Sequence, residues 1–143
     1  MILGLGIDLC GIDRMRAALE KPRFLERVFT PAEQARIVAA PDARRAELAA
    51  GLFAAKEAVA KALGTGFVGF GPWDVEILPN GAGMPTCALL NGAADRAAAL
   101  AGGDRCRALV SITHEGGMAA ATAVLEGGGP IRAAGEAISP HGL

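Results

Sequence analysis

The sequence predicts an α+β fold: an antiparallel β-sheet packed against one long α-helix, with shorter helices around it. Three observations point there. An alanine-rich segment from Ala43 to Leu63 carries apolar residues at helical spacing. Strand-like apolar runs open the chain and recur in pairs across glycine-rich turns. The length of 143 residues allows one core and not two.

Each element has its own signal. Ile2 to Cys10 reads as a buried strand, with large apolar residues beside small glycines. Ile12 to Glu20 is a short helix that stops before Pro22. Thr30-Pro31-Ala32-Glu33 starts the next: Thr30 can cap, Pro31 suits the first helical position, and Glu33 completes a capping box. That helix runs to about Ala39, and Asp42 can cap its successor. The long helix places Leu48, Leu52, Val59 and Leu63 near one stripe, and Gly64 supplies a left-handed stop. Gly51 inside it costs up to about 1 kcal/mol relative to alanine, so close approach of another backbone is expected there. Trp73 to Leu78 and Thr86 to Leu90 form a hairpin around Asn80-Gly81-Ala82-Gly83. Gly92 to Ala101 is a short helix. Arg107 to Thr113 and Met118 to Leu125 pair across His114-Glu115-Gly116-Gly117. A domain over residues 1–126 is followed by a tail over 127–143, rich in glycine and proline without amphipathic pattern, and expected to be flexible.

Composition narrows the function. A net charge of -1, from 14 basic and 15 acidic residues, excludes a broad electrostatic nucleic-acid binder. Hydrophobic residues make up 52 %, many of them alanine, which hints at oligomerisation. Cys10, Cys87 and Cys106 are far apart and form no Cys-x-x-Cys pair, so neither a zinc site nor a disulfide framework is expected. Reduced thiols in a cytoplasmic protein are the simplest reading. The apolar start, Met1 to Ile7, lacks the basic flank and length of a signal peptide, and no run is long enough to span a membrane.

Several residues carry candidate chemistry. Glu57 and Lys61 are four apart on one helical face, which suits a plain surface ion pair. With Asp8, which interrupts an apolar strand, the same residues suit a magnesium site beside a phosphate-holding lysine. Gly64-Thr65-Gly66-Phe67-Val68-Gly69 matches G-x-G-x-x-G, but a helix precedes it, so the dinucleotide-fold reading fails. The loop is either a helix stop or a backbone cradle for phosphate. His114 is a turn histidine, or a phosphate or proton contact. Arg14 and Arg16, with Lys21, Arg23 and Arg27, form either a solvated face or a docking patch for an acidic partner.

Gly6-Ile7-Asp8 with Arg14, and above all the stretch Phe53-Ala54-Ala55-Lys56-Glu57-Ala58-Val59-Ala60-Lys61-Ala62-Leu63-Gly64-Thr65-Gly66, resemble the two motifs of the 4'-phosphopantetheinyl transferases. Gly83-Met84-Pro85 and Val110-Ser111-Ile112-Thr113-His114 resemble that family's hairpin and late strand, and the short length its small, holo-[acyl-carrier-protein] synthase type. The likeness covers about residues 1 to 126. It implies transfer of the 4'-phosphopantetheine arm of coenzyme A to a serine of apo acyl carrier protein, with magnesium, in a homotrimer whose active sites lie between subunits. It implies Asp8 and Glu57 as metal ligands and Asp8, Glu57 and Lys61 as catalytic residues. Coenzyme A contacts carry over onto Arg44, Lys61, Gly64, Thr65, Pro85 and His114, and carrier docking onto Arg14, Met15 and Arg23. Many members have arginine at Leu52, lysine at Met84 and an aromatic near Met118. A weakened or non-catalytic paralogue that binds coenzyme A or a carrier is therefore the alternative, and another magnesium-dependent phosphoryl-transfer enzyme a third.

Overall fold

A computed structural model describes residues 1–128, and its architecture follows from how small residues let a strand lie on a helix. In chain order the elements are β1 (Ile2–Gly11), α1 (Ile12–Leu19), α2 (Phe24–Val28), α3 (Pro31–Ala39) and α4 (Asp42–Ala62). A 3₁₀ turn, Pro72–Asp74, then leads to β2 (Val75–Pro79), β3 (Pro85–Leu89), α5 (Asn91–Leu100), β4 (Cys106–Glu115) and β5 (Met118–Gly127). The fold class is the expected α+β one. The antiparallel strands divide into a three-stranded sheet, β1-β5-β4, and a β2–β3 hairpin that packs alongside β4 without joining its ladder.

α4 is the centre of the molecule. Its second half is buried almost all round, because β1, β5, β4, β2 and α1 pack on different sides of it. The expected single apolar stripe is therefore too narrow a description: alanines at 49, 50, 54, 55, 58, 60 and 62 are all buried. At Gly51 the close neighbour is a side chain rather than a backbone, since an added Cβ would come 2.9 Å from Ile112 Cγ2. The helix begins one residue earlier than expected. Asp42 sits in its first turn, paired with Arg45 at 2.7 Å, and Pro41 holds the cap position. Gly64 ends it as expected, in the left-handed conformation (φ +82°) with its N–H donating to the Lys61 carbonyl.

β1 is buried on one face only. Gly4, Gly6, Asp8 and Cys10 turn towards α4, while Leu5, Ile7 and Leu9 are 63–71 % exposed. The turn between β4 and β5 is also tighter than expected. Gly116 and Gly117 (φ +58° and +78°) make the two-residue turn that matches strand twist, so His114 and Glu115 belong to β4. Apart from Gly127, which completes β5, and Gly128, the expected tail over 127–143 lies outside the described residues.

The capping box of α3 forms: Thr30 N–H donates to Glu33 Oε1 at 2.8 Å, and Glu33 N–H to Thr30 Oγ1. It also reaches into the core. Glu33 is fully buried, accepts the Ile77 N–H at 2.9 Å through Oε2, and pairs with the equally buried Lys56 at 2.6 Å. Lys56 Nζ donates further to the carbonyls of Pro72 and Val75, at 2.8 and 2.5 Å. One ion pair thus joins α3, α4, the 3₁₀ turn and β2, with every polar partner satisfied.

Candidate active site

The approach of β1 to α4 builds the first cluster. A Cβ on Gly6 would fall 1.8 Å from the Ala58 carbonyl oxygen, and one on Gly4 1.9 Å from that of Ala62. Only glycine permits this approach, and it brings the next inward residue, Asp8, onto the Glu57 and Lys61 face. Lys61 Nζ donates to Asp8 Oδ1 at 2.9 Å and to the Ile7 carbonyl at 3.0 Å. The helical pair Glu57–Lys61 is thus not a simple surface ion pair, because Lys61 is engaged by the strand. Burial pushes the Glu57 carboxyl above the usual range, the Asp8 charge adds to this, and Lys61 opposes it.

Two carboxylates and one ammonium leave a net negative charge in a half-buried place, which a divalent cation would offset. Both carboxylates are hard oxygen donors. Among the described residues no group of three or more His, Cys, Asp or Glu forms an all-protein cage. That suits magnesium, which commonly takes one or two carboxylates and completes its shell with water and phosphate oxygens.

A second cluster lies in a cleft of about 490 Å³ near the other end of α4. Arg44, Pro85 and His114, three of the expected coenzyme A contacts, all line it. His114 Nε2 lies 3.2 Å and Arg44 Nη2 3.5 Å from the same oxygen of Glu47. The cleft floor is apolar, with Leu48, Leu52, Ile77 and Ile112, and Arg36 adds another cation at its edge. The cleft can hold a flat or aliphatic group with an anionic end.

The two clusters are not together in one chain. Arg44 and Lys61 stand near opposite ends of α4, about 25 Å apart at 1.5 Å per residue. Gly64 and Thr65 belong with the Lys61 end, where Gly64, Gly66 and Gly69 all take positive φ. Arg14, Lys21, Arg23 and Arg27 are exposed on and around α1 and α2, and Arg23 itself occupies a left-handed position (φ +69°). Met15 differs from its expected docking role: it is 3 % exposed and packs into the core beneath α1. Sequence reading missed Glu47, the Glu33–Lys56 pair and Arg96, whose Nε caps the Leu63 carbonyl at 2.9 Å. Glu47 had a signal, since it is three residues beyond Arg44 on one helix. The partners of the others are remote in sequence.

Comparison with known proteins gives a consistent result. The model of the 4'-phosphopantetheinyl transferase superfamily matches residues 4–115. A holo-[acyl-carrier-protein] synthase of Solidesulfovibrio magneticus is 50 % identical over 130 residues, spanning 89 % of this chain and all of the relative. One from a Methylobacterium species is 48 % identical over 88 % of this chain and 95 % of its own. Among solved structures, the Bacillus anthracis holo-(acyl-carrier-protein) synthase in complex with CoA (3',5'-ADP) superposes with a TM-score of 0.73 at 31 % identity, covering 87 % of this chain and 96 % of that one. The Helicobacter pylori synthase in complex with coenzyme A gives a TM-score of 0.71 at 27 % identity, over 85 % and 99 % of the two chains.

Proposed function

The chain belongs to the 4'-phosphopantetheinyl transferase superfamily, and we infer from this premise the reaction it performs. It transfers the 4'-phosphopantetheine arm of coenzyme A to a serine hydroxyl of apo acyl carrier protein. The serine oxygen forms a bond to the phosphorus that carries the arm. The pyrophosphate bond breaks, adenosine 3',5'-bisphosphate leaves, and the serine proton is lost.

Asp8 and Glu57 would hold magnesium, and the juxtaposition of these two carboxylates beside Lys61 is the observation that carries the reading. When bound, the ion supplies positive charge for the pyrophosphate oxygens. Lys61, steered by Asp8 and the Ile7 carbonyl, adds a second cation for the developing charge on the leaving phosphate. Glu57, or a water held beside the metal, would take the serine proton. Arg44, Pro85 and His114 bind the nucleotide end of coenzyme A in their cleft, and Gly64 and Thr65 give backbone access beside Lys61.

Arg44 and Lys61 stand near opposite ends of α4, which supports a site completed by two copies of the chain. The exposed apolar face of β1, with Leu5, Ile7 and Leu9, supports a homotrimer with a site between neighbours. Arg14 and Arg23, with Lys21 and Arg27 nearby, form the docking patch for an acidic carrier, and Met15 supports it from below. No helix of the described residues is long and apolar enough to cross a membrane, and we place the reaction in the cytoplasm.

The test is intact-mass spectrometry of apo acyl carrier protein incubated with this chain, coenzyme A and magnesium. The expected result is a gain of one phosphopantetheine that disappears with EDTA. No gain on any of several carriers, with coenzyme A bound, would favour a binding protein instead.

A further inference from the structure

We propose that Arg96 is a further substrate-binding residue: its guanidinium grips a phosphate of coenzyme A held over Gly64 and Thr65. The inference rests on the reading of those two residues as coenzyme A contacts. Arg96 projects from α5 to the end of α4, where its Nε donates to the Leu63 carbonyl at 2.9 Å. Its Nη2 would lie 3.4 Å from a Cβ on Gly64, so the guanidinium flanks the open side of that glycine. Among the described residues no carboxylate pairs with it, although the side chain is half-buried. A half-buried guanidinium without a counter-ion has N–H donors free for an anion.

The place itself calls for a cation. The C-terminus of a helix carries about half a negative charge, which repels phosphate. Yet here the chain offers a glycine-rich loop with left-handed residues at 64, 66 and 69, immediately after Lys61. Arg96 resolves the conflict. One nitrogen caps the carbonyl of Leu63, just past the end of α4, and the planar fork still has terminal N–H donors for phosphate oxygens. Lys61, three residues before Gly64, is already committed to Asp8 and the Ile7 carbonyl. Capping uses only Nε, whereas the side chain also places Nη2 beside Gly64.

The experiment measures coenzyme A affinity by calorimetry, and transfer kinetics, for the unmodified chain, Arg96→Gln and Arg96→Lys, with Arg105→Gln as a charge control. Arg96→Gln should weaken binding by about tenfold, equivalent to about 1.4 kcal/mol. The KM for coenzyme A should rise in step while kcat and the KM for carrier stay within about twofold. Arg96→Lys should recover part of the loss, and Arg105→Gln should bind as the unmodified chain does. Binding by Arg96→Gln within about twofold of the unmodified chain would overturn the proposal, and with a lowered melting temperature would leave Arg96 a helix cap. If the unmodified chain binds coenzyme A but transfers nothing, the transfer reading fails while the affinity ratio still judges Arg96. If it does not bind coenzyme A, both are overturned.

Discussion

Replacing Lys56 by methionine should be among the most damaging single changes in the molecule, although Lys56 touches neither cluster of site residues. Both Lys56 and Glu33 are fully buried. The substitution keeps the aliphatic volume but removes the ammonium that serves Glu33 and the carbonyls of Pro72 and Val75. Glu33 keeps two donors, the amides of Thr30 and Ile77, and an uncompensated charge in the core. Breaking a buried pair in this way costs about 3–5 kcal/mol. Whole domains have stabilities of only about 5–15 kcal/mol. At about 3 °C per kcal/mol for a chain of this size, the melting temperature should fall by about 10–15 °C. Glu33→Gln alone should cost a similar amount by stranding Lys56. In the double variant neither side chain is charged, and the introduced amide oxygen can still accept from Thr30 or Ile77. It should therefore be more stable than the sum of the single effects requires, by about 2 kcal/mol or more. Urea denaturation of the four proteins measures this directly. Additive single costs, or a loss below about 1 kcal/mol for Lys56→Met, would refute the view that one ion pair ties α3, α4 and β2 together.

Mixing a Glu57→Ala chain with a His114→Ala chain should restore transfer to about a quarter of the unmodified level after subunit exchange, because some interfaces receive both intact halves. No recovery in exchanged mixtures would place the whole site within one copy. Reversing charge at Arg14 and Arg23 should raise the carrier KM and flatten its dependence on salt, with the KM for coenzyme A unchanged; an unchanged carrier KM at low salt would remove the patch. Burial pushes the Cys87 thiol up to about 12 from 9.0, so native protein should resist alkylation at this position at pH 9. Since the folded state holds this proton more tightly than the unfolded one, the contribution to stability is full below about pH 9 and is lost as pH rises towards about 12. Cys87→Ala should remove that part of the alkaline loss in denaturation curves taken across this range.

Local chemistry was legible and remote chemistry was not. Asp8 stood out because a carboxylate interrupts an apolar strand, and Glu57 and Lys61 because helical spacing puts them on one face. The stop at Gly64 and the capping box at Thr30 also depend only on neighbours in sequence. The second role of Glu33 could not be seen, because its partners Lys56 and Ile77 come from elements formed much later in the chain. The strand β1 was misread as wholly buried for a related reason. Its alternation of Gly4 and Gly6 with Leu5, Ile7 and Leu9 was present in the sequence. Hydrophobicity alone assigns the large residues inwards, whereas contact with α4 requires the small ones there. The apolar face was thereby turned out.

That inversion couples the exposed face of β1 to the position of Asp8. Asp8 lies between Ile7 and Leu9, and successive side chains of a strand point to opposite faces. The strand that presents a carboxylate to Glu57 and Lys61 therefore necessarily presents an apolar ridge on its other side. Shifting its register by one residue would bury the ridge, but it would also carry Asp8 away from Lys61 and drive side chains into the carbonyls of Ala58 and Ala62. The register that exposes the ridge is therefore the same one that brings Asp8 to Lys61. Arg44 and Lys61 stand near opposite ends of α4, so the homotrimer proposed above would let two copies complete one coenzyme A site. The exposed ridge and the inward carboxylate are thus two consequences of one strand register.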